Sequence, residues 1–131
     1  MSEPVIKALL LCDYAFRDEN RKACLTGIFA KFGLPSVPTK LPDKFVYARI
    51  VDAPPAGQVI FTIENAAGVC VWSSGPQIYE GCRDGVLDSM TVVPGFMVFK
   101  PEIYRLAVVM NGDRLGELAL PVDLVTDGVP K

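Results

Sequence analysis

The chain has 131 residues, the size of one domain, and half of them are hydrophobic, which is enough for a self-sufficient core. The net charge is −2, and no cluster of Lys and Arg stands out along the sequence. Because nucleic-acid binders usually carry a basic patch, these features predict a chain with no nucleic-acid partner.

Short apolar stretches with a period of two residues follow one another along the chain, which is typical of β-strands. The pattern of residues 5–14 predicts a first strand. Its centre is apolar on both faces, which is typical of a strand whose two faces are both covered by other parts of the protein. The charged residues 16–22 predict an exposed loop. The pattern of residues 24–32 predicts a second strand, in which Gly27 marks a bulge or a close backbone approach. Residues 33–42 contain three prolines and predict an extended crossover without strands.

The second half of the chain continues the same pattern and ends in a hairpin. Asn111-Gly112 lies between two alternating apolar runs, and this pair tolerates the positive φ angles of a tight primed turn. The other predicted strands are residues 44–51, 58–64, 69–73 and 86–93, with a short resumption at 77–79. No amphipathic stretch of helical length is present, so every predicted element is a strand.

These elements predict an all-β fold with one domain over residues 1–125 and a C-terminal tail at 126–131. Antiparallel strands joined by a long crossover indicate a two-layer β-sandwich of the immunoglobulin-like, Greek-key type, with about eight strands.

The four cysteines do not form the closely spaced pairs of a zinc site, so no metal site is predicted. The N-terminal apolar run is too short for a signal peptide, and no run reaches transmembrane length. We therefore expect reduced thiols, a cytoplasmic location and no membrane partner. The chain has no His, which excludes Ser-His-Asp and Cys-His constellations, and we expect no catalytic residue and no cofactor.

Five residues are candidates for a binding site. Asp13 and Tyr14 end the first apolar strand and, together with Arg17 and Arg49, could line a polar patch that binds a partner. The alternative for Asp13 is that its carboxylate caps the adjacent loop. Trp72 is the only Trp, and it is a candidate for core or interface packing or for stacking on a sugar.

The opening of the chain, residues 10–15 followed by residues 25–29, resembles an uncharacterised bacterial family of single-domain proteins of about this length. Ala48-Arg49, the corner from Phe99 to Tyr104 and the closing hairpin are similar to that family as well. The resemblance spans most of the chain and implies a single β-sandwich domain. The family has no assigned activity, so it implies no substrate or cofactor.

We expect a protein that is not an enzyme but an interaction or structural module, with a protein partner of unknown identity. The alternative is a module that binds a small molecule, such as a carbohydrate, through Trp72 and Tyr79. Several strands are apolar on both faces, whereas each sheet of a sandwich has one internal face. A second copy would cover the outer apolar residues, so the sequence also predicts a homodimer.

Overall fold

The computed structural model describes residues 3–125, in which twelve strands and no helix are present. The strands are β1 (Val5–Arg17), β2 (Ala23–Phe29), β3 (Phe32–Leu34), β4 (Thr39–Lys40), β5 (Lys44–Val51), β6 (Gly57–Glu64), β7 (Cys70–Ser73), β8 (Gln77–Tyr79), β9 (Leu87–Val93), β10 (Met97–Val98), β11 (Glu102–Met110) and β12 (Asp113–Leu124). The predicted all-β class is confirmed, with more strands than the expected number of about eight. The predicted tail at 126–131 lies outside the described residues.

A four-stranded antiparallel sheet has the order β2-β1-β5-β9. In β5, Val46, Ala48 and Ile50 point into the core, because alternate residues of a strand face opposite sides. Tyr47 and Arg49 therefore lie on the outer face of this sheet. Arg49 is opposite Ala8 of β1 on one side and opposite Asp88 of β9 on the other.

A second, larger sheet has the order β3-β12-β11-β6-β7, and β8 also pairs with β6. Its neighbours are antiparallel except β3 and β12, which run parallel. Strands β4 and β10 form a separate two-stranded ribbon. The proline-rich crossover is thus not free of strands, since β4 and most of β3 fall within it. Their two or three residues each are too few to show a period in the sequence.

Both sheets contribute to one hydrophobic core cluster, and none of the described polar or charged residues is classed as buried. The fully buried residues include Leu11, Val46 and Ile50 from the four-stranded sheet and Phe61, Ile63, Leu106, Val108 and Leu120 from the larger sheet. The core is therefore built from inward-facing residues of both sheets.

The closing hairpin joins β11 to β12 through the predicted primed turn, in which Asn111 has φ +50° and Gly112 has φ +90°. The Asn111 side chain also binds a neighbouring strand, because its Oδ1 accepts the backbone N–H of Gln58 at 2.9 Å. The turn thus fastens the start of β6 as well as closing the hairpin.

The hairpin of β1 and β2 is longer than the sequence predicts, because β1 continues to Arg17. At its tip, Asp18 Oδ1 accepts the backbone N–H groups of Asn20 at 2.8 Å and Lys22 at 2.9 Å. Gly27, with φ +67°, faces the Asp13 side chain, which leaves no space there for a Cβ atom. The hairpin is therefore held at its tip by Asp18, and only glycine fits opposite Asp13.

Candidate functional site

A groove of about 540 Å³ lies between the tip of the β1–β2 hairpin and the outer face of β5 and β9. The hairpin supplies Arg21, Lys22, Ala23 and Leu25, and the sheet supplies Tyr47, Arg49 and Asp88. Arg17 spans the same region, since its Nη2 donates a hydrogen bond to the backbone carbonyl of Asp88. Strand β9 is not a neighbour of β1 in the sheet, so this contact shows that the hairpin end lies across β5.

Three side chains of the groove form a hydrogen-bonded network centred on Asp88. Arg49 donates from Nε to Asp88 Oδ1 at 2.8 Å and from Nη2 to Oδ2 at 3.0 Å, which is the bidentate geometry. Tyr47 donates its hydroxyl proton to Asp88 Oδ1 at 2.9 Å. The strand register sets this arrangement, because Arg49 and Asp88 are directly opposite each other.

The network fixes the charge of its members. The hydrogen bonds from Arg49 lower the pKa of Asp88, although partial burial opposes this shift. Burial, followed by the hydrogen bond to Asp88, raises the pKa of Tyr47. Near neutral pH, Asp88 is therefore a carboxylate and Tyr47 a neutral hydroxyl donor.

The groove carries a local excess of positive charge that the composition of the whole chain conceals. Three of its lining residues are cationic, namely Arg21, Lys22 and Arg49, whereas Asp88 is its one acidic lining residue. Arg21 and Lys22 are exposed, and the Arg49 side chain is 49% exposed even while it binds Asp88. These guanidinium and ammonium groups remain accessible to an anionic ligand such as a phosphate.

A cluster of aromatic rings lies farther down the same hairpin. The rings of Tyr14 and Phe16 have centroids 5.5 Å apart, and Tyr14 also meets the edge of Phe45 at 5.2 Å. Tyr14 is 52% exposed and Phe16 is 40% exposed. The face of the hairpin that carries Tyr14 and Phe16 thus presents two large apolar rings to solvent.

The structure brings together only part of the predicted binding set. Arg17 and Arg49 converge on Asp88, and Tyr14 lies on the same hairpin as Arg17. Asp13 instead forms an ion pair with Lys44 at 2.6 Å rather than capping the loop, a role taken by Asp18. Trp72 lies on β7 of the other sheet and packs partly buried against the core.

Sequence reasoning missed Tyr47, Asp88 and the two cations at the hairpin tip. Alternation along β5 places Tyr47 beside Arg49 on one face, but Tyr47 was not named as a site residue. Asp88 can be identified as the partner of Arg49 only when the register of β9 against β5 is known. Arg21 and Lys22 were assigned to a solvated loop, and the position of that loop over the sheet has no sequence signal.

A larger cavity of about 670 Å³ lies at another place in the fold, among Asp52, Pro54, Cys82, Asp84 and Asn111. Its charged lining is mainly acidic. Within residues 3–125, no group of three His, Cys, Asp or Glu side chains is placed to hold a metal ion. The part of the chain that the structure describes contains no helix of the length and apolarity that a membrane span requires.

The fold and the groove define an all-β domain with a cationic groove between a hairpin tip and one sheet. The chain belongs to a family of unknown function (DUF6941), whose sequence model matches residues 7–123, and this confirms the resemblance to an uncharacterised family. No curated protein matches the chain.

Among solved structures, the chain is similar to alkylpurine DNA glycosylase AlkC of Pseudomonas fluorescens, which was solved bound to DNA containing an abasic site analog. The TM-score is 0.54 at 13% sequence identity, and the match covers 93% of this chain. It covers 31% of the AlkC chain, so this domain spans about a third of that enzyme.

This likeness corrects two expectations. The chain was expected to be a generic interaction or structural module, with a carbohydrate-type module using Trp72 and Tyr79 as the alternative, and to have no nucleic-acid partner. These predictions are wrong, because a similar solved structure is that of a protein bound to DNA. The net charge of −2 is a sum over the whole chain, so it does not exclude a groove in which positive charges are concentrated locally.

Proposed function

We propose that this domain binds DNA, with its cationic groove in contact with the phosphate backbone. The observation that carries the proposal is the convergence of Arg21, Lys22 and Arg49 on one groove. Phosphate contacts of this kind set the position of a protein on DNA and supply most of its non-specific affinity.

The likeness to AlkC supports the proposal, because a domain of similar fold occurs in a protein bound to DNA. The match spans 31% of AlkC, so the glycosylase activity of the whole enzyme is not carried over. We propose instead that the domain is not itself an enzyme. In support, the chain has no His, and the groove holds one carboxylate that is already paired with Arg49.

The proposal also predicts how the binding responds to salt. Three phosphate contacts give a slope of about −2.7 for the logarithm of the affinity against the logarithm of the salt concentration. The affinity is therefore modest, and it declines steeply as salt is raised.

The test compares two double variants that remove the same charge. Arg21→Gln with Lys22→Gln neutralises the hairpin tip and leaves the Arg49–Asp88 pair intact. Arg105→Gln with Arg114→Gln is the matched control, because these two half-exposed cations lie on the larger sheet and pair with Glu117. Fluorescence anisotropy with a labelled DNA measures the affinity over a series of salt concentrations, and thermal melting verifies that each variant is folded.

We expect the groove variant to bind several-fold more weakly and its salt slope to shrink by about one for each cation removed. The control variant should bind like the unmodified protein. If both variants lost the same affinity for DNA, binding would depend on overall charge alone and not on the groove. If the unmodified protein did not bind DNA at low salt, the proposal would be refuted.

The finer description of the fold and location belongs to the same proposal. We propose one domain over residues 1–125 with the two-layer, immunoglobulin-like arrangement, and in support both sheets contribute to one core cluster. We also propose a cytoplasmic location, which is supported by the four cysteines being free.

A further inference from the structure

The exposed rings of Tyr14 and Phe16 have no part in the phosphate groove. Large aromatic side chains are usually buried, yet these two lie together in solvent at 52% and 40% exposure. Their centroids are 5.5 Å apart and their planes differ by 30°. Such a pair offers a broad apolar surface on a strand that is paired along its whole length.

The local structure holds this surface open and in a fixed orientation. The edge contact with Phe45, at 84° between the rings, restrains Tyr14. The residues across the β1–β2 ladder are small, since Thr26 is opposite Tyr14 and Cys24 is opposite Phe16. Neither is large enough to cover an aromatic ring, so flat ring surface remains available for stacking.

The rings lie near the cations of the hairpin tip, although not beside Arg17. Arg17 directly follows Phe16 on β1, so its side chain points to the opposite face of the hairpin. Lys22 precedes Cys24, the partner of Phe16, by two residues, which is about 7 Å along an extended chain. A nucleotide could therefore place its phosphate near the hairpin tip and its base against the rings.

We propose that Tyr14 and Phe16 stack on an unpaired base, so that the domain prefers single-stranded DNA, or DNA with an unpaired nucleotide, over intact duplex. This inference rests on the proposed function. In a duplex the faces of the bases are stacked on one another and are closed to side chains, whereas in a single strand every base presents a π-face. The adjacent positive charge favours a nucleic acid over an uncharged apolar partner.

The experiment measures anisotropy with a labelled single strand of mixed sequence and with a blunt duplex of the same length. It compares the unmodified protein, the double variant Tyr14→Ala with Phe16→Ala, and the conservative variant Tyr14→Phe. Ile103→Ala is the matched control, because Ile103 is a 51% exposed apolar residue on β11, in the sheet that does not contain the hairpin. Circular dichroism and thermal melting verify folding.

We expect tighter binding to the single strand than to the duplex. The double alanine variant should lose about tenfold or more of its single-strand affinity while its duplex affinity stays unchanged. Tyr14→Phe should keep the preference, because stacking needs the ring and not the hydroxyl. Ile103→Ala should bind both DNAs like the unmodified protein.

Other outcomes separate this inference from the proposed function. Equal affinity for the two DNAs, or a double variant that retains the preference, would overturn the stacking role and leave DNA binding in place. Absence of binding to either DNA would overturn both. A double variant that changes from dimer to monomer in sedimentation without DNA would identify the rings as a contact between copies and overturn the inference.

Discussion

Replacing Asn111 by proline tests the account of the closing hairpin. Asn111 adopts φ +50°, whereas the proline ring fixes φ near −65°, so the turn cannot keep its form. The substitution also removes two hydrogen bonds to Gln58, one donated by the Asn111 backbone N–H at 3.1 Å and one accepted by its Oδ1 at 2.9 Å. The start of β6 is therefore released together with the turn.

The structure gives a magnitude for this change. Backbone strain of this kind costs roughly 1–3 kcal/mol, and each lost hydrogen bond costs about 1 kcal/mol. We expect Asn111→Pro to lower the free energy of unfolding by about 4 kcal/mol. In a domain of this size that is a fall in Tm of about 15 °C.

Asn111→Asp is the matched control, because Asp tolerates positive φ and keeps both the backbone N–H and a side-chain oxygen for Gln58. We expect it to cost less than about 1 kcal/mol. Differential scanning calorimetry of the two variants beside the unmodified protein gives the comparison. Equal melting temperatures for the proline and aspartate variants would refute the role assigned to this turn.

Two further predictions concern the thiols and the core. Titration of the denatured protein without reductant should find all four cysteines as thiols, and finding two or none would contradict the free thiols of the structure. In the native protein, exposed Cys70 should react first and Cys12 last, because burial raises the pKa of the Cys12 thiol. Phe61→Ala should cost about 3–5 kcal/mol in urea unfolding, since Phe61 is fully buried in the core; a cost below about 1 kcal/mol would show that it is not a core residue.

Hydrophobic alternation was the reliable sequence signal for this fold. It predicted β5 to the residue and placed β6, β9 and the closing hairpin within a few residues of their ends. It ended β1 at Tyr14 and not at Arg17, because residues 16–22 are rich in charge and were assigned to an exposed loop. The pairing of β2 with β1 keeps Phe16 and Arg17 extended.

The candidate site was predicted only in part for the same reason. Arg17 and Arg49 were singled out as polar residues near apolar strands, and both reach Asp88 in the structure. Asp88 could not be identified, because a cross-strand partner depends on register and not on sequence spacing. The homodimer, inferred from excess apolarity, stays a prediction.

The pH dependence of stability tests the network at the centre of the groove. Arg49 lowers the pKa of Asp88 in the folded protein below its value in the unfolded chain. A carboxylate with a depressed pKa stabilises the fold above its unfolded pKa of about 3.9, and that stability is lost as the pH falls through the folded pKa. The fall in the free energy of unfolding as the pH is lowered should therefore depend on Asp88.

Asp88→Asn removes this titration and retains one oxygen that can accept the hydrogen bond of Tyr47. At neutral pH we expect it to lower the free energy of unfolding by about 1.5 kcal/mol, the low end for a charge-assisted hydrogen bond, because Arg49 is half exposed and remains hydrated. Urea unfolding at pH 7 and at about pH 3 should show this difference shrinking in acid, where the carboxylate of the unmodified protein is protonated.

Glu19→Gln is the control, because Glu19 is an exposed residue of the hairpin tip, and this variant should have the stability of the unmodified protein at both pH values. A constant difference between Asp88→Asn and the unmodified protein would mean that Arg49 does not hold Asp88 in its charged form, and the groove would then be built by packing and not by this ion pair.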